Sequence, residues 1–206
     1  MTVVMDVVME SPKLRGADRL VTVQGDWDKF QLIQQGCDHS VGIRLFYFDG
    51  EIEILMPGQA HEIFSHAIGQ LLTFFLAYQG IVFVATGSAD QEKVGVAAAQ
   101  PDQSYCIGKL KPIPDLSIEV VFSSGGPKKL RRYQAIGVPE VWFWEDGVLT
   151  LYRLRENGYD RIQNSALEGL KNLDLEIFKR HILMAETDVA AAVRSFTDYV
   201  LKSAND

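Results

Sequence analysis

Residues 114–122 read Pro114-Asp115-Leu116-Ser117-Ile118-Glu119-Val120-Val121-Phe122, the most strand-like run in the chain. Its alternation places Asp115, Ser117 and Glu119 on one face and Leu116, Ile118 and Val120 on the other. A glutamate between Ile118 and Val120 has two outcomes. Either the strand is an edge, with Glu119 in water or salt-bridged, or Glu119 is buried with a partner. An unpaired buried carboxylate costs several kcal/mol and is not an option.

Just upstream, Pro101-Asp102-Gln103-Ser104-Tyr105 sets a second acid at the start of a neighbouring strand-like run, Asp102 to Ile107. Two carboxylates on adjacent strands suit one shared divalent cation, because hard cations prefer oxygen ligands. Just downstream, the turn SSGGP opens a helix with Pro127 in its first turn and Gly137 past its end. Lys128 and Lys129 open that helix, with Arg131 and Arg132 close behind. Alone, KKLRR reads as a solvated face. Beside strand carboxylates, a lysine supplies the cation that phosphoryl transfer needs where negative charge develops.

Working outward, IRLFYFDGEIEIL predicts an antiparallel hairpin with strands near 43–48 and 51–55, turning on Asp49-Gly50. Asp26 caps a short helix in which Trp27, Phe30 and Ile33 share a face and which Gly36 closes. HEIFSHAIGQLLTFFLAYQG is a helix to Gly80, with Phe64, Ile68, Leu71, Leu72 and Phe75 at helical spacing. IVFVAT and EKVGVA read as two further strands. VWFWE and VLTLYRL flank a second hairpin turn at Asp146-Gly147, and Asn157-Gly158 marks a third. A last helix spans about 187 to 202, with Val189, Val193, Phe196 and Val200 on one side. Helices thus bracket a mixed, mostly antiparallel sheet, an α+β arrangement. Residues 1–20 lack periodicity and read as a loose leader, leaving 21–206 as a single domain that ends in the C-terminal helix.

The whole chain bounds its partners. At 206 residues and 47% hydrophobic, it can bury a core without staples. Its net charge of −7 argues mildly against broad attraction to nucleic acid, though a local basic patch or a metal-screened acidic pocket is compatible with it. Cys37 and Cys106 have no CxxC spacing and suit a reducing cytoplasm. MTVVMDVVME lacks a positive n-region, and no apolar run reaches the roughly 18 residues of a membrane span. A cytoplasmic location is expected. GxxxxGK[ST], GxGxxG and GxSxG are all absent, and His61-Glu62 with His66 is one residue too long for HExxH. Trp142 and Trp144 share a face and read as core or interface. With the C-terminal helix they hint at a homodimer. His61, close to a helix N-terminus, is expected to be neutral and a hydrogen-bond partner, or else a capping or surface residue.

The order DGEIEILMPGQAHE, then PD, then PDLSIEVVFSS, a lysine four residues before Tyr133, and GVPEVWFW resembles the Uma-two family of PD-(D/E)XK endonuclease-like proteins. The resemblance covers roughly residues 22 to 180 and implies a restriction-endonuclease-like core. It places the PD aspartate at Asp102 and the acid of the (D/E)XK motif at Glu119. An upstream glutamate that completes the metal site matches Glu51 best, with Glu53 second. The lysine expected two residues after Glu119 is replaced by Val121, and Lys129 of the next helix matches instead. Two positions depart from the family: Ser123-Ser124 where a proline usually follows the first serine, and Gly125 where an aspartate is common. The reading that follows is hydrolysis of DNA phosphodiesters with Mg²⁺, or Mn²⁺, held by Asp102, Glu119 and Glu51, with Lys129 orienting water. His61, Glu53, Asp115 and Lys128 are secondary candidates. The alternatives are a catalytically silent fold acting as a binding or assembly module, or another phosphoesterase.

Overall fold

The computed structural model describes residues 17–38, 40–122 and 126–203, without the side chains of 126–128 and 203. Most of the expected leader (1–16) and residues 123–125 of the expected SSGGP turn therefore lie outside the described residues. Within them the chain forms eleven strands and five helices.

The first sheet is built from β1 (Arg19–Gln24), β2 (Arg44–Phe48), β3 (Glu51–Met56), β5 (Gln91–Lys93) and β6 (Ala97–Ala99), in the order β1-β3-β2-β6-β5. The second holds β4 (Phe83–Ala85), β7 (Gln103–Ile107), β8 (Leu116–Val121), β9 (Glu140–Glu145), β10 (Val148–Arg155) and β11 (Gly158–Ile162), ordered β11-β10-β9-β8-β7-β4. Every pairing is antiparallel except β8 with β9. The fold is α+β, as expected, with its strands divided between two sheets.

The β2–β3 hairpin turns on Asp49 and Gly50, both at positive φ (53° and 75°), as a two-residue turn matched to strand twist requires. Asp146 and Gly147 repeat this between β9 and β10. At the third hairpin Arg155 pairs with Gly158, so the turn is on Glu156-Asn157 and Gly158 already belongs to β11. EKVGVA is a turn rather than a strand: Gly95 has φ 76° and β5 folds back on β6. β1 begins at Arg19, inside the stretch read as leader.

Helices fill three layers. α1 (Trp27–Gly36), capped by Asp26 accepting from the Lys29 N–H, covers one face of the first sheet through Phe30. α3 (Gly126–Ile136) lies in the angle between the sheets, where Tyr133 and Ile136 meet Phe46, Leu55, Ala97 and Ala99 on one side and Val121, Val141 and Phe143 on the other. α2 (Gln59–Tyr78), α4 (Leu175–Ala185) and α5 (Val189–Ser203) cover the far face of the second sheet, over Leu116, Ile118, Val120, Trp142 and Trp144. The alternation along β8 thus separates two cores, with Glu119 on the α3 side. Trp142, Trp144, Phe196 and Val200 are all buried within the chain. Of the features that hinted at self-association, the aromatic strand is spent on internal packing, while Val189 of α5 stays exposed. No helix among the described residues is long and apolar enough to cross a membrane.

Candidate active site

Glu119 sits in an interior strand, between β7 and β9, and is 1% exposed. The edge-strand alternative therefore falls, and the partner that burial demands comes from α3. The Tyr133 hydroxyl donates to Glu119 Oε1, and Lys129 Nζ lies 3.6 Å from Oε2. Lys129 and Tyr133 are four residues apart and so share a helix face. Burial, and next the negative charge of Glu119, push the Tyr133 hydroxyl well above its usual range, and the charge of Asp102 adds to the effect. Tyr133 is therefore a fixed donor, and both carboxylates act on it.

Asp102 stands one residue before β7. Its N–H donates to Ile118 O (3.0 Å), and its Oδ2 accepts from the Val120 N–H (2.7 Å), so the side chain extends the β7–β8 ladder past its last backbone pair. Oδ1 accepts from His61 Nε2 (2.7 Å) and Arg44 Nε (3.2 Å). Burial opposes the charged form, but His61, the Val120 N–H and Arg44 together hold Asp102 below its ordinary range.

His61 is the correction at this site. It is neither neutral nor at the surface: it is 1% exposed, and its Nδ1 donates to Asp18 Oδ2 at 2.8 Å. Burial lowers its pKa, yet the hydrogen bonds and charges of Asp102 and Asp18 outweigh that and raise it to about 9. Two carboxylates in direct contact dominate the helix dipole, which is worth about 1 kcal/mol. Asp18 also accepts from the Gly58 N–H (2.7 Å), satisfying the backbone donor of the residue that N-caps α2.

The other candidates lie elsewhere. Glu53 pairs with Arg132 (2.8 Å), whose guanidinium also lies 4.1 Å over the Phe46 ring. Glu51 is at the hairpin end of β3 and faces Gln24. Asp115 closes the β7–β8 connection, accepting from the Ile107 N–H (2.7 Å) and Lys111 Nζ (2.6 Å). The side chain of Lys128 lies outside the described ones. Among the described residues no three His, Cys, Asp or Glu side chains converge as a metal cluster, so Glu51 is not gathered with Asp102 and Glu119.

Three contributors escaped the sequence reading. Tyr133 carried a signal in its four-residue spacing from Lys129, and Arg44 in being a lone cation in an apolar strand. Asp18 carried none.

Residues 27–184, most of the chain, match a family model described as "Uma2: Putative restriction endonuclease". No curated protein matches the chain.

Proposed function

The chain belongs to the Uma2 family of restriction-endonuclease-like proteins, and on that premise we propose that it hydrolyses DNA phosphodiester bonds at a site formed by Asp102, Glu119 and Lys129. One observation carries the reading: two buried carboxylates stand side by side at one end of the β7–β8 pair, Asp102 bonded to the N–H of Val120, the residue after Glu119, with the Lys129 ammonium beside Glu119.

Such a fold implies a divalent cation, Mg²⁺ or Mn²⁺, and the donor set fits one in kind. Asp102 and Glu119 offer hard oxygens, and their negative charge is at present offset by Arg44, His61 and Lys129. A bound cation takes over part of that compensation. Asp102 and Glu119 would hold it; Glu53, committed to Arg132, would not. When bound, such an ion supplies Lewis-acid polarisation of a phosphoryl oxygen and acidifies water. The chain's own groups do the rest. Lys129 places positive charge where the transition state gathers negative charge. Tyr133 fixes Glu119 in rotation, and the Val120 N–H and His61 fix Asp102.

A second reading, a catalytically silent binding or assembly module, draws on a different observation. Both oxygens of Asp102 already accept hydrogen bonds within the fold, as a purely structural carboxylate would.

Incubation with plasmid and oligonucleotides separates the two. The nuclease reading expects cleavage that needs Mg²⁺ or Mn²⁺, stops with EDTA, and falls on the order of 100-fold or more in Asp102→Ala, Glu119→Ala and Lys129→Met. No metal-dependent cleavage, or cleavage indifferent to both acid substitutions, leaves the silent module standing.

A further inference from the structure

We propose that Phe122 is a platform on which an unpaired nucleobase stacks, so that the substrate is DNA with an unstacked nucleotide beside the scissile phosphate. The inference rests on the nuclease reading above and names its substrate class.

Phe122 directly follows β8, three residues past Glu119, and is 47% exposed. Among the described residues it is the one exposed ring of any phenylalanine or tryptophan. A single exposed apolar side chain needs no explanation by itself. Its place gives it meaning. The ring packs against His61 and Phe64, with centroids 6.0 Å away in each case, and Phe64 is itself anchored on Trp144 at 5.7 Å. His61 is the residue whose Nε2 bonds Asp102. The ring, just past the end of β8 and beside the histidine that holds Asp102, thus keeps a free surface on the α2 side of the sheet, opposite the face that carries Glu119.

A phosphate approaching Asp102, which stands at this same end of the β7–β8 pair, brings its flanking bases to that ring. Every base has a π-face, so stacking there is tolerant of sequence, but it requires a base already freed from its neighbours. Single strands, flaps and frayed ends meet that condition, and the interior of an intact duplex does not. Stacking also adds affinity without net positive charge, which suits a chain of net charge −7.

The test uses the full chain and short fluorescein-labelled oligothymidine, with a blunt duplex for comparison, followed by fluorescence anisotropy in EDTA. Wild type should bind the single strand more tightly than the duplex. Phe122→Ala should weaken single-strand binding about 5- to 100-fold. Phe122→Leu, which keeps apolar bulk without a π-face, should weaken it as well, and Phe122→Trp should retain it. Equal binding by wild type, Phe122→Ala and Phe122→Leu overturns the proposal, as does a preference for duplex or no binding at all. Cleavage assays distinguish the two ideas. Metal-dependent cleavage indifferent to all three substitutions removes the stacking role and leaves the nuclease reading intact. Phe122-dependent binding without cleavage does the reverse.

Discussion

Two carboxylates grip one imidazole at this site, and the proton that His61 retains has a consequence for stability. Its pKa is raised from 6.5 to about 9. The contribution is present in full below about 6.5 and is lost as pH rises through about 9, because the unfolded chain then no longer holds the proton that the fold prefers. The size is on the order of 3 kcal/mol. Urea unfolding between pH 6 and 10 should show wild type losing about that much more stability than His61→Gln. Parallel curves would mean that His61 is not held as an imidazolium. The lowered pKa of Asp102 is the acid side of the same contact: its contribution is present above the ordinary value of 3.8 and is lost as pH falls through the folded value. The two describe one interaction and are not summed. The same contact shows where sequence reading stops. Asp102, Glu119 and Lys129 were legible because their chemistry conflicts with their local setting: acids on strands, a lysine at the helix that follows. The charge state of His61 was not, because Asp18 and Asp102 reach it from 43 and 41 residues away.

Among the elements, β6 decides where α3 sits. Ala97 and Ala99 are buried against Tyr133 and Ile136, while Ala98 faces α1 and Phe30. Three alanines have little intrinsic strand propensity, so β6 exists because β2 and β5 pair with it, and its small side chains let α3 approach. Ala99→Leu should therefore overpack that contact, costing about 1–3 kcal/mol by denaturant unfolding. A change below about 0.5 kcal/mol would mean that α3 is not seated on β6. This dependence on neighbours explains which elements were legible. The Asp-Gly hairpins and α2 carry their own signals, positive φ and a 3.6-residue stripe, and were read correctly. β5 and β6 are three residues each and were merged into one strand, because Val94 and Val96 extend an alternation across what is a turn with both valines exposed. β1, paired on one side only, was missed. α4 was missed although Asp174 caps it and Phe178 and Ile182 share its buried face. There the signal was present and went unassigned.

At the scale of the molecule, two sheets that share no ladder among the described residues are joined by α3 and by buried ion pairs. Arg44 of the first sheet holds Asp102, which extends the ladder of the second. Arg132 of α3 holds Glu53 of the first sheet and is 4% exposed, with Nε and Nη2 lacking hydrogen-bond partners. The second join is the costlier in polar terms. Desolvating a guanidinium is repaid only when its donors are satisfied, and here Nη1 has Glu53 while the ring of Phe46 covers the flat face. Removing one partner should hurt more than removing both. Glu53→Leu leaves a buried cation facing apolar groups and should cost about 3–5 kcal/mol. Arg132→Met alone takes the guanidinium away from the Glu53 carboxylate and should cost a similar amount. The double variant replaces the pair by apolar bulk against Phe46 and Leu55, and should recover at least half of either loss, giving a clear coupling in a double-mutant cycle. Additive losses would show that the two side chains act independently. In that event the apolar packing of Tyr133, Val121 and Phe143, rather than charge, is what keeps α3 against both sheets, and with it the seating of Lys129 beside Glu119.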